Sequence, residues 1–255
     1  MNKKLTFIAN WKMYWSFDQT TAYVNAHSNQ LIKLAVQTEH KIILCPSFPA
    51  LFPAVQVFKE SPIKISAQDC SDHIRGAFTG QVSAEHLKTV GVDYCIIGHS
   101  ERRQYCSETN EQIVQKCLRL MEQGIAPIIC IGETKQEHEL GKTYDVLTAQ
   151  LTPILEILSN NVHSGKAFPF YIAYEPIWSI GTGNIPKQDH LESVFAHLDK
   201  LTQTLASTIQ TSLLYGGSVS SKNIVDFTGN RYLDGFLIGS ASLKFSEFEV
   251  IIKKH

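Results

Sequence analysis

Asn110–Gly132 reads NEQIVQKCLRLMEQGIAPIICIG, and its two halves follow different periods. In the first half, Ile113, Val114, Cys117, Leu118 and Met121 fall on one stripe at the spacing of an amphipathic helix. Thr109 stands where a cap or turn residue belongs, and Gly124 follows as a helix stop. The second half, Ala126–Gly132, is a nearly unbroken apolar run, which suits a strand buried on both faces of a parallel sheet.

The same alternation extends in both directions. Further apolar runs lie at Leu5–Asn10, Lys41–Cys45, Ile63–Asp69, Tyr94–Gly98, Phe170–Glu175, Ser212–Gly217 and Asp234–Gly239. A second helical pattern opens at Pro186 and carries Leu191, Val194, Phe195, Leu198 and Leu201, and Asp226 marks another cap or turn. Eight strand–helix units predict a closed (β/α)8 barrel, the α/β architecture whose usual length is about 250 residues. A doubly wound sheet is the competitor, and it needs a reversal of strand order that sequence does not display. No Gly/Ser-rich, Pro-rich or low-complexity stretch divides the chain, so residues 1–255 read as one domain.

Composition narrows the class. With 44% hydrophobic and 18% charged residues, the chain can bury enough apolar surface to exclude disorder as its main state. A net charge of −1 removes the simplest argument for a nucleic-acid or anionic-membrane partner, while leaving room for a small anionic ligand. The N-terminal apolar stretch Leu5–Ala9 is too short for a signal peptide, and no run approaches the ~18 residues of a membrane span. The six cysteines include no C-x-x-C pair, and Cys95 and Cys130 read as small buried hydrophobes. A reduced, cytoplasmic protein without a disulfide framework is expected.

In a barrel of this kind, ligand chemistry gathers at the C-terminal ends of the strands. The polar residues just past the runs are Asn10 and Lys12, then His99-Ser100-Glu101, Glu175, Gly216-Gly217-Ser218 and Gly239-Ser240. Singly, each has an ordinary reading: a solvated lysine, a structural histidine, an exposed loop carboxylate, a tight turn. Jointly they place an ammonium, an imidazole, a carboxylate and two Gly-bearing loops on one rim. A carboxylate can act as general base, an imidazole can polarise a carbonyl and move protons, and an ammonium can stabilise an enolate. Loops after strands seven and eight are the usual phosphate site of such barrels. The set points to proton abstraction beside a carbonyl on a small phosphorylated substrate.

Six motifs occur in order: Asn10-Trp-Lys12-Met, Gly76-Ala-Phe-Thr-Gly80, Ile97-Gly-His99-Ser-Glu-Arg-Arg103, Cys130-Ile-Gly-Glu-Thr134, Ala173-Tyr-Glu175-Pro-Ile-Trp-Ser-Ile-Gly-Thr-Gly183 and Tyr215-Gly-Gly-Ser218. With them the sequence resembles the triosephosphate isomerase family along essentially its whole length. The resemblance implies a cofactor-free isomerase that interconverts dihydroxyacetone phosphate and D-glyceraldehyde 3-phosphate through an enediol(ate). It implies Glu175 as the base, His99 as a neutral imidazole shuttling protons at the two oxygens, and Lys12 as the cation beside enediolate and phosphate. Asn10 would position the substrate and Lys12. Gly181, Ser218, Gly239 and Ser240 would hold the phosphate, and Glu101 would support the site from beside His99. Residues 176–183 would form a closing lid with Gly183 as a hinge. A homodimer is also implied, with the Gly76–Gly80 loop docking on the second subunit.

Two positions depart from the family pattern. Ser240 stands where a second Gly is usual, and Ser179 replaces an Ala in the lid. A left-handed backbone at Ser240 would carry strain. Several fragments resemble other motifs without completing them. Gly141-Lys142-Thr143 lacks the first Gly of a P-loop, Gly98-His-Ser100 lacks the last Gly of a nucleophile elbow, and Gly181-Thr-Gly183 lacks the third Gly of a dinucleotide fingerprint. His190 and His197, seven apart, read as a polar stripe, and no metal is expected. The alternatives are another phosphate-binding barrel enzyme acting on a small phosphosugar, and a binding protein that has kept the barrel. A Schiff-base aldolase would need an inner-strand lysine, and the runs carry Lys only at their starts, at Lys41 and Lys64.

Overall fold

In the computed structural model, residues 3–161, 169–181, 185–206, 210–227 and 229–254 are described. Eight strands run as β1 Thr6–Asn10, β2 Lys41–Cys45, β3 Lys64–Ala67, β4 Tyr94–Ile97, β5 Ala126–Ile131, β6 Pro169–Tyr174, β7 Gln210–Tyr215 and β8 Leu233–Ile238. Each pairs in parallel with its neighbour in the chain, and β8 returns to β1 with Phe236 opposite Phe7, closing a (β/α)8 barrel. Closure in sequential order rules out the doubly wound sheet. The helices are α1 Phe17–Thr38, α2 Leu51–Phe58, α3 Ala84–Val90, α4 Ser100–Tyr105, α5 Asn110–Glu122, α6 Lys135–Glu139, α7 Thr143–Asn161, α8 Gln188–Ala206 and α9 Phe245–Lys253.

The pleat sorts side chains into two cores. Ile8, Ile43, Ile96, Ile128, Ala173 and Leu214 pack together inside the barrel. Their strand neighbours, among them Phe7, Ile42, Cys95, Ile129, Ile172 and Leu213, join the layer between strands and helices. This is the strand period of two, interrupted in β8, where Leu213 faces Leu233 and Leu214 faces Gly235. It aims Asn10, the last residue of β1, and Glu175, the first beyond β6, into the barrel mouth, in phase with Ile8 and Ala173.

Each apolar run holds a strand, with small shifts at the ends. β3 stops at Ala67 because Gln68 and Asp69 turn to other partners: the Gln68 amide donates to the carbonyls of Lys12 (2.8 Å) and Cys45 (2.9 Å). α5 starts and stops where the sequence places it, with Thr109 accepting from the Gln112 N–H in a capping box. Its buried stripe differs in one respect. Lys116 and Leu120 are buried, whereas Leu118 and Met121 are half-buried. Lys116 lies inside because Asp69, 2.7 Å away, and Glu108 compensate its charge, and Arg102 braces both carboxylates from above. α8 begins two residues beyond Pro186 and buries Leu191, Val194, Phe195 and Leu198. Asp226 lies within a 3-10 turn, Ile224–Phe227.

Candidate active site

Asn10, Lys12, His99, Glu175, Gly181, Ser218, Gly239 and Ser240 all line one cavity of about 150 Å³ at the C-terminal mouth of the barrel. Glu101 stands at its edge and reaches Lys12. Gly183, the expected hinge, and Thr182 lie outside the described residues.

Lys12 follows β1 in the left-handed region, φ +48°. Two contacts hold it there: its N–H donates to Asn10 Oδ1 (3.0 Å) and its carbonyl accepts from Gln68. The ammonium meets Glu101 Oε1 at 2.6 Å. The side chain runs past Gly239, where an added Cβ would stand 3.4 Å from Lys12 Cε, an ordinary packing distance.

His99 and Glu175 are brought together by two different turns. Gly98, at φ +68°, breaks the alternation of β4 and swings His99 into the mouth at the head of α4. Glu175 is clamped through its backbone, its N–H donating to Ile131 O at 2.7 Å. That approach requires Gly132, where a Cβ would fall 1.8 Å from Glu175 O. His99 Nε2 then lies 3.1 Å from Glu175 Oε1, and the Ser100 N–H donates to Oε2 at 3.1 Å. The carboxylate expected as an exposed loop charge in its ordinary reading is 2% exposed.

Burial raises a carboxyl, yet His99, the Ser100 N–H and Lys12 together outweigh it and hold Glu175 below its ordinary value. Burial pulls His99 down, and Glu175 with Glu101 outweighs it, so the net direction is upward. A second contact opposes that charge. Nδ1 accepts the Glu101 backbone N–H at 3.2 Å, which places the imidazole proton on Nε2, facing Glu175.

The start of the expected lid is tied down at three points. Trp178 Nε1 donates to Glu133 Oε1 (2.8 Å), the Ile177 N–H donates to the Glu133 carbonyl, and Ser218 Oγ donates to the Ser179 carbonyl (2.7 Å). Ser179 Oγ sits 3.3 Å from the Tyr215 hydroxyl, so the extra oxygen has a polar neighbour. Ser240 is not in the left-handed region: among described residues other than glycine, only Lys12, Glu39 and Ser107 have positive φ. The second loop glycine is therefore dispensable for the backbone here, and Ser240→Gly is expected to leave kcat within a few-fold in a coupled assay. A loss of two orders of magnitude would show that the Ser240 hydroxyl is essential.

Two polar residues past other strand ends also belong to this mouth. Gln68 follows β3 directly, and Glu133 stands two residues past β5. Both hold parts of the site in place, Gln68 through Lys12 and Glu133 through Trp178. The Ser100 N–H carries no side-chain signal and is visible only in three dimensions.

Comparison with known proteins agrees with this geometry. The family model described as triosephosphate isomerase matches residues 5–255. The chain belongs to the triosephosphate isomerase family. It is 39% identical to the triosephosphate isomerase of Alkaliphilus metalliredigens over 256 residues, covering 98% of this chain and 99% of that one. Identity to the Dictyoglomus thermophilum enzyme is also 39%, over 99% of this chain and all of the relative. The Chlamydia muridarum triosephosphate isomerase is 37% identical over 96% of this chain and 89% of its own length. Within a triosephosphate isomerase fold, the aldolase alternative has no support, since Lys12 is the only lysine among the described residues lining the cavity. Lys41 sits at the opposite end of the barrel, 2.6 Å from the Tyr171 hydroxyl.

Proposed function

We propose that this triosephosphate isomerase interconverts dihydroxyacetone phosphate and D-glyceraldehyde 3-phosphate through an enediol(ate), with Glu175, His99 and Lys12 carrying the chemistry. One observation supports it most directly: those three groups share a single cavity with the loops that follow β7 and β8. Glu175 takes the proton from the carbon beside the carbonyl. The C–H electron pair becomes the carbon–carbon π bond, and the carbonyl electrons move onto oxygen, where Lys12 and His99 meet the charge. His99 passes a proton between the two oxygens. Glu175 then returns its proton to the neighbouring carbon, and aldose has become ketose or the reverse.

Both Glu175 oxygens are engaged, so the carboxylate turns away from Ser100 to reach substrate. That movement removes the larger of the two charges pushing His99 upward, and the Glu101 N–H favours the neutral imidazole. Asn10 orients Lys12, and Glu101 steadies Lys12 and His99 together. Gly181, Ser218, Gly239 and Ser240 receive the phosphate, held by loop N–H groups and one lysine. The lid that opens at Pro176 covers the reacting carbons in this reading, because an enediol phosphate open to water and to a poor geometry would expel its phosphate.

The test is direct. Dihydroxyacetone phosphate supplied with chelator and no cofactor should yield glyceraldehyde 3-phosphate, read through a coupling dehydrogenase. Absence of product would overturn the reading.

The chain acts as a homodimer in this reading. Gly76–Gly80 projects from the surface, with Phe78 stacked on His73 at 3.7 Å between ring centroids. Met13, Tyr14, Phe17, Ile74 and Tyr105 are also exposed, an apolar set large enough to favour a partner surface. The loop docks on the second subunit. Sizing at micromolar concentration should give twice the chain mass of 28.6 kDa, and only the single-chain species would overturn the dimer. A cytoplasmic location fits six free cysteines, five of them buried and Cys106 exposed. Among the described residues no helix is long and apolar enough to cross a membrane.

A further inference from the structure

Behind the lid's first turn, on the helix side of the barrel, three side chains from separate elements converge. Glu133 follows β5, His138 sits on α6 and His190 on α8, and one ligand atom from each lies within 4.8 Å of the others. Sequence spacing pairs His190 with the wrong partner. His197 turns to Thr148, with Nε2 and Oγ1 2.9 Å apart, whereas His190 meets His138 edge to face, with ring centroids 5.2 Å apart.

The carboxylate carries the argument. Glu133 is fully buried, and its Oε1 is crowded by Trp178 Nε1 (2.8 Å), the Tyr174 hydroxyl (3.0 Å) and His138 Nδ1 (3.4 Å). Its Oε2 has no hydrogen-bond partner among the described residues. A buried carboxylate oxygen without a donor is costly, and the imidazoles of His138 and His190, each with a ligand atom within 4.8 Å of this carboxylate, are ligands of the borderline-soft divalent metals. Two histidines and one carboxylate, with a fourth position open to water or another ligand, are a donor set that Zn²⁺ accepts. Tetrahedral ligation at about 2.0–2.2 Å sets the donor atoms a little over 3 Å apart. Small rotations of His138 and His190, both half-buried, close the gap.

We propose that Glu133, His138 and His190 form a site for a divalent transition metal such as Zn²⁺, and that its occupancy opposes docking of Trp178. The Trp178 ring stacks on His138, 4.4 Å between centroids, and its N–H points at the carboxylate that the cation would claim. A cation there repels the indole N–H and reorients the imidazole beneath the ring. The metal thus takes no part in the isomerisation and acts on the lid instead. This last step rests on the lid reading given above, whereas binding itself does not.

The experiment separates the two. Zn²⁺ is titrated calorimetrically into the full chain in phosphate-free buffer, alongside His138→Gln and His190→Gln. One equivalent should bind, weakened at least about tenfold in each variant, as loss of a metal ligand requires. Trp178→Phe, which removes the competing N–H, should bind Zn²⁺ more tightly. In the coupled assay, saturating Zn²⁺ should slow the wild type, chelator should restore it, and the two His variants should resist. Equal binding by wild type and both His variants, or no binding up to millimolar Zn²⁺, would overturn the site. Binding lost in the variants with wild-type turnover unmoved by Zn²⁺ would overturn the coupling to the lid.

Discussion

Glu175→Gln should lower kcat by about 10²–10⁴-fold, the usual contribution of a positioned general base. Glutamine has nearly the same volume, so the barrel mouth stays filled and the fold is undisturbed. Its amide oxygen can still accept from the Ser100 N–H. What disappears is the one carboxylate among the described residues lining the cavity, and His99 Nε2 already carries its own proton. The variant should also lose exchange of the substrate's carbon-bound hydrogen with solvent, which reports the proton-transfer step apart from product release. An unchanged rate, or exchange that persists at the wild-type level, would remove Glu175 from the reaction.

The second large effect is expected at Lys12. Lys12→Met keeps an unbranched chain on a backbone held at φ +48°, so the strained turn and its bonds to Asn10 and Gln68 survive. Only the ammonium is lost. Removing one preorganised charge from a developing oxyanion costs about 10²–10³-fold in kcat, and KM should rise as well because the same group faces the phosphate. Lys12→Arg should recover only part of the loss. The ammonium sits 2.6 Å from Glu101 Oε1, and a planar guanidinium does not take the position of that compact point charge. A Met variant within tenfold of wild type in both constants would show that the loop N–H groups hold the phosphate unaided.

The barrel was legible because its strands are buried on both faces and its helices on one, which gives the two halves of each unit different periods. Asn10 and Glu175 were legible for the same reason, standing in phase with the inward residues of β1 and β6. Lys12 and His99 are placed by something the pattern does not hold. Each follows or occupies a left-handed residue, and the alternation restarts there. Lys116 read as a polar interruption in a helical stripe, and its burial depends on acids contributed by the ends of other elements. The Glu133 cluster is hidden more deeply. Its members come from three separate stretches, and the pairing of β5 with β6 makes neighbours of α6 and α8.

The alternation of side chains along β6 also makes the site intolerant of one kind of genetic change. Deleting a single residue between Pro169 and Tyr174 would leave a chain of nearly identical composition that still pairs with β5 and β7. Every side chain beyond the deletion would point to the opposite face. Glu175 would then be delivered into the greasy layer under the helices, and Pro176 would arrive in its place at the mouth. In this barrel a frame-preserving loss of three nucleotides in that strand is a more severe lesion than most single substitutions, whereas the same loss in a surface connection leaves the count intact.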